Sequence, residues 1–364
     1  MQTQEFVPDW FSPPHETIIE LLTSRQIPRT YFAEMLEVSQ NDANAILLGE
    51  IGIQKPLAEK LHTALGGSTD FWLQRQAQFD ASVERAKSNF SEVQKGEFIR
   101  SYPIRELAKV GYVHDANDDF SSMLKFFDVS TPKEWDRRYE SRKTAVAFRR
   151  SHAFKKSIDK TLLWLRQAER KAELLNVATW DKDRLLSSFD EIKRLTWVKQ
   201  PQRFFPKLQD ICASAGVAVV AVRTPSNSPC SGATFFSEKG VPVIVLSFRH
   251  RSDDHFWFSL FHEFGHLIMH DDHSIFLEGT EELTFEQEEE EANDFASQIL
   301  VPSSRRSEMS TLPLNKNAII AYAKSLGISA GIIVGQLQYL GHLRFNQMNH
   351  IKRRYTEENV IELF

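Results

Sequence analysis

Apolar residues recur at helical spacing through residues 15–80, which predicts a run of short amphipathic helices. Within it, Phe32, Ala33 and Leu36 define a helix over Arg29–Leu36. Glu37-Val38-Ser39 breaks it, and Ser39 is placed to cap a second helix, Gln40–Leu48, that stops at Gly49. Helical spacing continues from residue 81 to about 200. After Pro201 the period changes. Val217–Arg223 is a nearly continuous apolar run, and Ala233–Ser237 and Pro242–Phe248 follow, punctuated by Gly216, Gly232, Gly240 and Pro242. These are strand signals. A long helix then runs through His262, an acidic stretch follows, and a further helix spans about Glu286 to Leu300, with Pro302 as its stop. The pattern predicts a multidomain, mainly α chain. Residues 1–80 form an all-α unit with two helices in helix-turn-helix arrangement, 81–200 a helical connector, and 201–364 an α+β domain with a small sheet.

Composition narrows the choices. The chain has 364 residues, 41% of them hydrophobic, enough for more than one core. Its net charge of −5 excludes a uniformly basic nucleic-acid binder and a strongly acidic disordered chain. No run approaches the roughly 18 apolar residues of a membrane span. Met1 to Pro14 carries Glu5 and Asp9 and no basic side chain, unlike a signal peptide. Two cysteines, Cys212 and Cys230, cannot make a disulfide framework, so a reducing cytoplasm is the expected compartment. Charge is uneven along the chain. Residues 14–80 hold 5 Lys/Arg against 9 Asp/Glu, whereas 136–172 hold 12 against 4.

The sharpest chemical signal is His262-Glu263-Phe264-Gly265-His266. Chance alone gives roughly 0.03 His-Glu-x-x-His matches in a chain this long. Histidines four apart share one helix face, so His262 and His266 can bind one cation, and zinc suits two imidazoles plus a carboxylate. Glu263 is placed to act as general base. His270 continues the spacing and is expected to support the ligands or the fold rather than to ligate. The third ligand should come from Glu286-Gln287-Glu288-Glu289-Glu290-Glu291. Measured from the apolar face of Ala292, Phe295, Ala296, Ile299 and Leu300, Glu288 and Glu289 are equally close, and Glu290 and Glu291 point away.

This motif, followed by Glu289-x-x-Ala292-Asn293-x-Phe295-Ala296 and Leu300-x-Pro302, resembles the ImmA/IrrE family of metallo-endopeptidases over about residues 205–364. The resemblance implies a zincin-like domain with His262, His266 and Glu289 as zinc ligands, Glu263 as catalytic base and Asn293 as support for a ligand histidine. It also implies cleavage of a repressor-type protein.

Residues 14–80 resemble the HigA-type antitoxin branch of the Cro/CI-like repressors. The turn carries Glu37 where that family usually has Gly, and the second helix begins without a basic residue. Gln40, Asn41 and Asn44 are the candidate base-reading residues. The basic segment 136–172 is a candidate source of phosphate attraction.

Together these features predict a cytoplasmic transcriptional regulator, dimeric on operator DNA, with a zinc-dependent endopeptidase domain that cleaves a repressor-type protein, itself or a partner. No membrane partner is expected. The alternative is a non-catalytic antitoxin that binds a cognate toxin and keeps the zinc domain as a structural or binding module.

Overall fold

A computed structural model of the chain describes residues 12–102, 104–113, 118–140, 142, 158–225, 230–270, 275–277, 286–361 and 363. The chain is mainly helical with one small mixed sheet, as the hydrophobic pattern predicts. It divides into two compact units, Met1–Arg142 and Lys143–Phe364. The expected connector is shared between them: its first part packs in the first unit, and residues from 158 onward pack in the second.

In the first unit, α1 (Pro14–Ser24), α2 (Arg29–Leu36), α3 (Gln40–Leu47), α4 (Lys55–Leu65) and α5 (Thr69–Ser88) each bury one apolar face. That face is carried by Ile18, Phe32, Ile46, Leu61 and Trp72. Ser39 caps α3 by accepting the Asp42 N–H at 3.1 Å. Glu37 closes α2 in the left-handed conformation, φ 51° and ψ 51°. That is the conformation glycine adopts most cheaply, which explains the usual Gly at such a turn. Four short helices follow: α6 (Glu92–Ser101), α7 (Ile104–Lys109), α8 (Asp119–Phe127) and α9 (Pro132–Trp135). A wider turn at Asp136–Glu140 ends them. Phe98, Tyr102, Phe127, Trp135 and Tyr139 form an aromatic core, with the Tyr139 hydroxyl donating to the Phe127 carbonyl at 2.7 Å.

The second unit begins with α10 (Ile158–Glu173), then α11 (Lys182–Ser187), α12 (Phe189–Leu195) and α13 (Pro201–Ser214). The strands are β1 (Ala218–Ala221), β2 (Gly232–Phe236) and β3 (Pro242–Leu246), shorter than the apolar runs that predict them. After α14 (Asp253–Met269) comes a two-residue strand, β4 (Phe276–Leu277), that the pattern does not reveal. The chain ends with α15 (Glu286–Leu300), α16 (Ser303–Ser310), α17 (Lys316–Leu326), α18 (Ala330–Tyr339) and α19 (Glu357–Ile361). Pro302 stops α15 and also sits at the N-cap of α16.

The sheet order is β1-β3-β2-β4, with β1 parallel to β3 and the other two pairs antiparallel. Side chains alternate across it. Val219, Ala221, Ile244 and Leu246 join the main core with α13, α14, α15 and α18. α10 packs on β1 and β3, and its buried Leu162, Leu163 and Leu165 stand outside that core. The Trp164 indole N–H donates to the Val222 carbonyl at 3.0 Å.

This placement bears on the basic segment. Arg166 and Arg170 are buried, Arg166 paired with Glu169 at 2.9 Å and Arg170 donating to Gln167 at 2.9 Å. They are structural cations of the second unit and cannot face a phosphate backbone. Arg149, Arg150, Lys155 and Lys156, also of that segment, lie outside the described residues.

Candidate metal centre

α14 is apolar on nearly every face because it is buried on nearly every face: Phe256, Trp257, Leu260, Phe261 and Phe264 are all core residues. Its first turn is acidic, which suits the positive end of the helix dipole. Asp253 there accepts the Ser329 hydroxyl at 2.8 Å and the Arg353 N–H at 2.9 Å, and Asp254 pairs with Lys352 at 2.5 Å. At the other end Lys182 donates to the Ile268 carbonyl at 2.7 Å, supplying a cation at the negative end.

α15 crosses α14 at close range. A Cβ built on Gly265 would meet the Ala292 Cα at 3.0 Å and its Cβ at 3.3 Å. Hydrogen at position 265 and a methyl at 292 therefore set the helix spacing. Phe189 of α12 packs against Phe261 and Phe264 on one helix and Phe295 on the other.

That crossing brings three ligand atoms together. His262 and His266 place their Nε2 atoms 3.0 Å apart. Glu289 lies 3.3 Å from the first with one carboxylate oxygen and 3.4 Å from the second with the other. Among the described residues this is the one group of three such side chains whose ligand atoms converge, all within 4.8 Å. A zinc ion with ligands at about 2.0–2.1 Å in tetrahedral array separates them by about 3.3–3.4 Å, so the observed spacing fits.

The electrostatics fit as well. Burial pushes His266 down to about 4 despite the neighbouring carboxylate, so the imidazole is neutral at pH 7 and has a lone pair to give. Asn293 Oδ1 stands 3.0 Å from His262 Nδ1. An amide oxygen only accepts, so the proton sits on Nδ1 and the Nε2 lone pair faces the cluster.

Glu263 is fully buried and its carboxylate accepts the Thr234 hydroxyl at 2.6 Å. Thr234 is opposite Ile244 in the β2–β3 register and shares its face of the sheet, the face that packs on α14. Nothing in the local sequence around Thr234 signals this contact, which depends on sheet register.

The helical wheel leaves Glu288 and Glu289 tied, and the fold brings Glu289 to the histidines. Glu291, expected to point away, instead meets His270 Nε2 at 3.1 Å, because α14 ends alongside that turn of α15. In the first unit Gln40 and Asn41 are exposed and Asn44 is half-buried, with the Gln40 amide donating to Asn44 at 3.4 Å. Cys230 is buried, and its carbonyl accepts the Ser247 hydroxyl. Cys212 is buried in the core, which pushes its thiol far up.

The second unit is thus a mainly helical domain in which two crossed helices, packed against one face of a mixed sheet, bring together two histidines and one carboxylate that could hold a cation. Residues 215–334 match the family model of the IrrE N-terminal-like domain, Peptidase_M78, so the chain carries an ImmA/IrrE-like metallopeptidase-family domain. A comparison with curated proteins returns no significant match. No single helix among the described residues is long and apolar enough to cross a membrane.

Proposed function

We propose that the second unit is a zinc-dependent endopeptidase domain, with zinc held by His262, His266 and Glu289. The convergence of these three donors at zinc-ligand spacing carries the reading. Bound zinc supplies Lewis acidity for polarising a peptide carbonyl. Glu263 is the general base that takes the proton of the attacking water, and Thr234 holds its carboxylate in place. Asn293 keeps His262 in the ligating tautomer.

In this reading the first unit directs the peptidase domain to operator DNA as a dimer. Gln40 and Asn41 are exposed at the start of α3, where side chains of those types can read adenine edges, and Asn44 lies one turn on. The local acidity of residues 14–80 makes that contact weak per protomer. The target is a repressor-type protein, another copy of this chain or a partner.

One observation favours the non-catalytic antitoxin reading: Glu263 is fully enclosed and already hydrogen-bonded, whereas a general base must meet water. Elemental analysis and cleavage assays separate the two. The peptidase reading expects one zinc per chain and cleavage of a repressor-type partner that disappears in Glu263→Gln while zinc remains. Stoichiometric zinc, tight binding of a toxin-type partner and no cleavage would establish the antitoxin instead. A gel shift on the DNA upstream of the coding sequence, repeated across salt concentrations, tests the role of the first unit.

A further inference from the structure

His270 ends α14 one turn after His266, and Glu291 lies two residues after Glu289 on α15. The three side chains form a line from the cation cradle to the surface. His266 Nδ1 is 3.1 Å from His270 Nδ1, and His270 Nε2 is 3.1 Å from Glu291 Oε2. Side-chain exposure rises along it, from 0% at His266 through 8% at His270 to 40% at Glu291. The other Glu291 oxygen accepts the Gln287 amide at 2.9 Å, which fixes the outer end.

The order of protons in this line follows from which atoms can donate. A carboxylate only accepts, so the His270 Nε2 facing Glu291 carries a proton. A neutral His270 then has a bare Nδ1, and the Nδ1–Nδ1 contact is made by the His266 N–H. That leaves the His266 lone pair on Nε2, the atom aimed at His262 and Glu289. With His270 in the opposite tautomer, its bare Nε2 would face a carboxylate and His266 would present an N–H to the cradle. We infer that His270 and Glu291 are positioning residues that select the metal-ligating tautomer of His266, as Asn293 does for His262. This rests on the reading of the His262–His266–Glu289 cluster as a divalent-cation site.

The test uses the full chain and zinc alone, with the dissociation constant measured by competition against a chromophoric chelator. Cobalt substitution adds the visible absorption of a tetrahedral site. His270→Ala should weaken zinc binding about 10- to 100-fold, the usual effect of removing such a support. Glu291→Gln, whose amide oxygen still accepts from Nε2, should stay near wild type. Glu291→Lys, whose ammonium donates to Nε2 and so drives the proton to Nδ1, should weaken binding as much as His270→Ala. Glu290→Lys makes the same charge change at an exposed neighbour and should leave the affinity within about twofold. If wild type binds zinc stoichiometrically and both His270→Ala and Glu291→Lys match it within about twofold, the positioning role is refuted and the metal site stands. Equal losses in Glu290→Lys and Glu291→Lys would likewise refute it, since the effect would then be bulk charge. Should His270→Ala fail to fold, the Glu291 series decides alone. Absence of zinc from wild type removes both this inference and the reading beneath it.

Discussion

The spacing of α14 and α15 is open to a one-methyl test, Gly265→Ala. The added Cβ would lie 3.0 Å from the Ala292 Cα, 3.3 Å from its Cβ and 3.3 Å from its carbonyl oxygen, so α15 must yield by a few tenths of an ångström. Two effects oppose each other. Alanine in a helix interior is favoured over glycine by about 0.5–1 kcal/mol. Overpacking a well-filled interface costs about 1–3 kcal/mol. The expected net is a destabilisation of about 1 kcal/mol, or a melting temperature lowered by about 2–4 °C for a unit of this size. The effect on metal should be larger in proportion. Glu289 is one turn from Ala292 on the same helix, and ligands need placement within about 0.5 Å, so a shift of a few tenths should weaken zinc severalfold. Thermal unfolding by circular dichroism, with chelator and with zinc, measures both. Adding Ala292→Gly to the same chain removes the opposing methyl and leaves the α15 backbone in the way, so it should recover part of the loss. A Gly265→Ala protein with unchanged zinc affinity and an equal or higher melting temperature would refute the view that this crossing positions Glu289.

Three further outcomes follow from other interactions. Thr234→Val removes a buried hydrogen bond to the Glu263 carboxyl and should destabilise the metal-free protein by about 1–3 kcal/mol, and Thr234→Ser should not. Zinc affinity should hold in both, since Thr234 touches the base and not the ligands, and urea unfolding with and without metal checks the pair. Lys352→Met leaves Asp254 buried without its cation and should cost about 3–5 kcal/mol, read from the urea midpoint. In the first unit, Asp118 caps α8 by accepting the Phe120 and Ser121 N–H groups, so Asp118→Ala should cost about 1 kcal/mol. Burial alone would raise its carboxyl, but hydrogen bonds from Lys87 and Ser121 outweigh that and hold it at about 2, against an ordinary 3.8. A depressed carboxylate stabilises the fold above its unfolded value, and that stability is lost as pH falls from 3.8 toward 2. Acid unfolding of Asp118→Asn should lack this component.

Periodicity and spacing determine a great deal of this protein. Helices over Arg29–Leu36 and Glu286–Leu300, the Ser39 cap and the paired His262 and His266 are all legible in the sequence, because each depends on residues within a few positions of one another. The identity of the third donor is different in kind. Helical angles leave Glu288 and Glu289 equivalent, and the choice belongs to the rotation of one helix against another, set where Gly265 meets Ala292. The same crossing turns Glu291 toward His270, and sheet register alone gives Glu263 its Thr234 partner. Arg166 and Arg170 read as part of the basic segment 136–172, yet lie buried with Glu169 and Gln167 for company. Local sequence determined which side chains can share a helix face; only the packing of helix on helix and helix on sheet decided which of them meet, since that geometry is fixed by residues far apart in the chain.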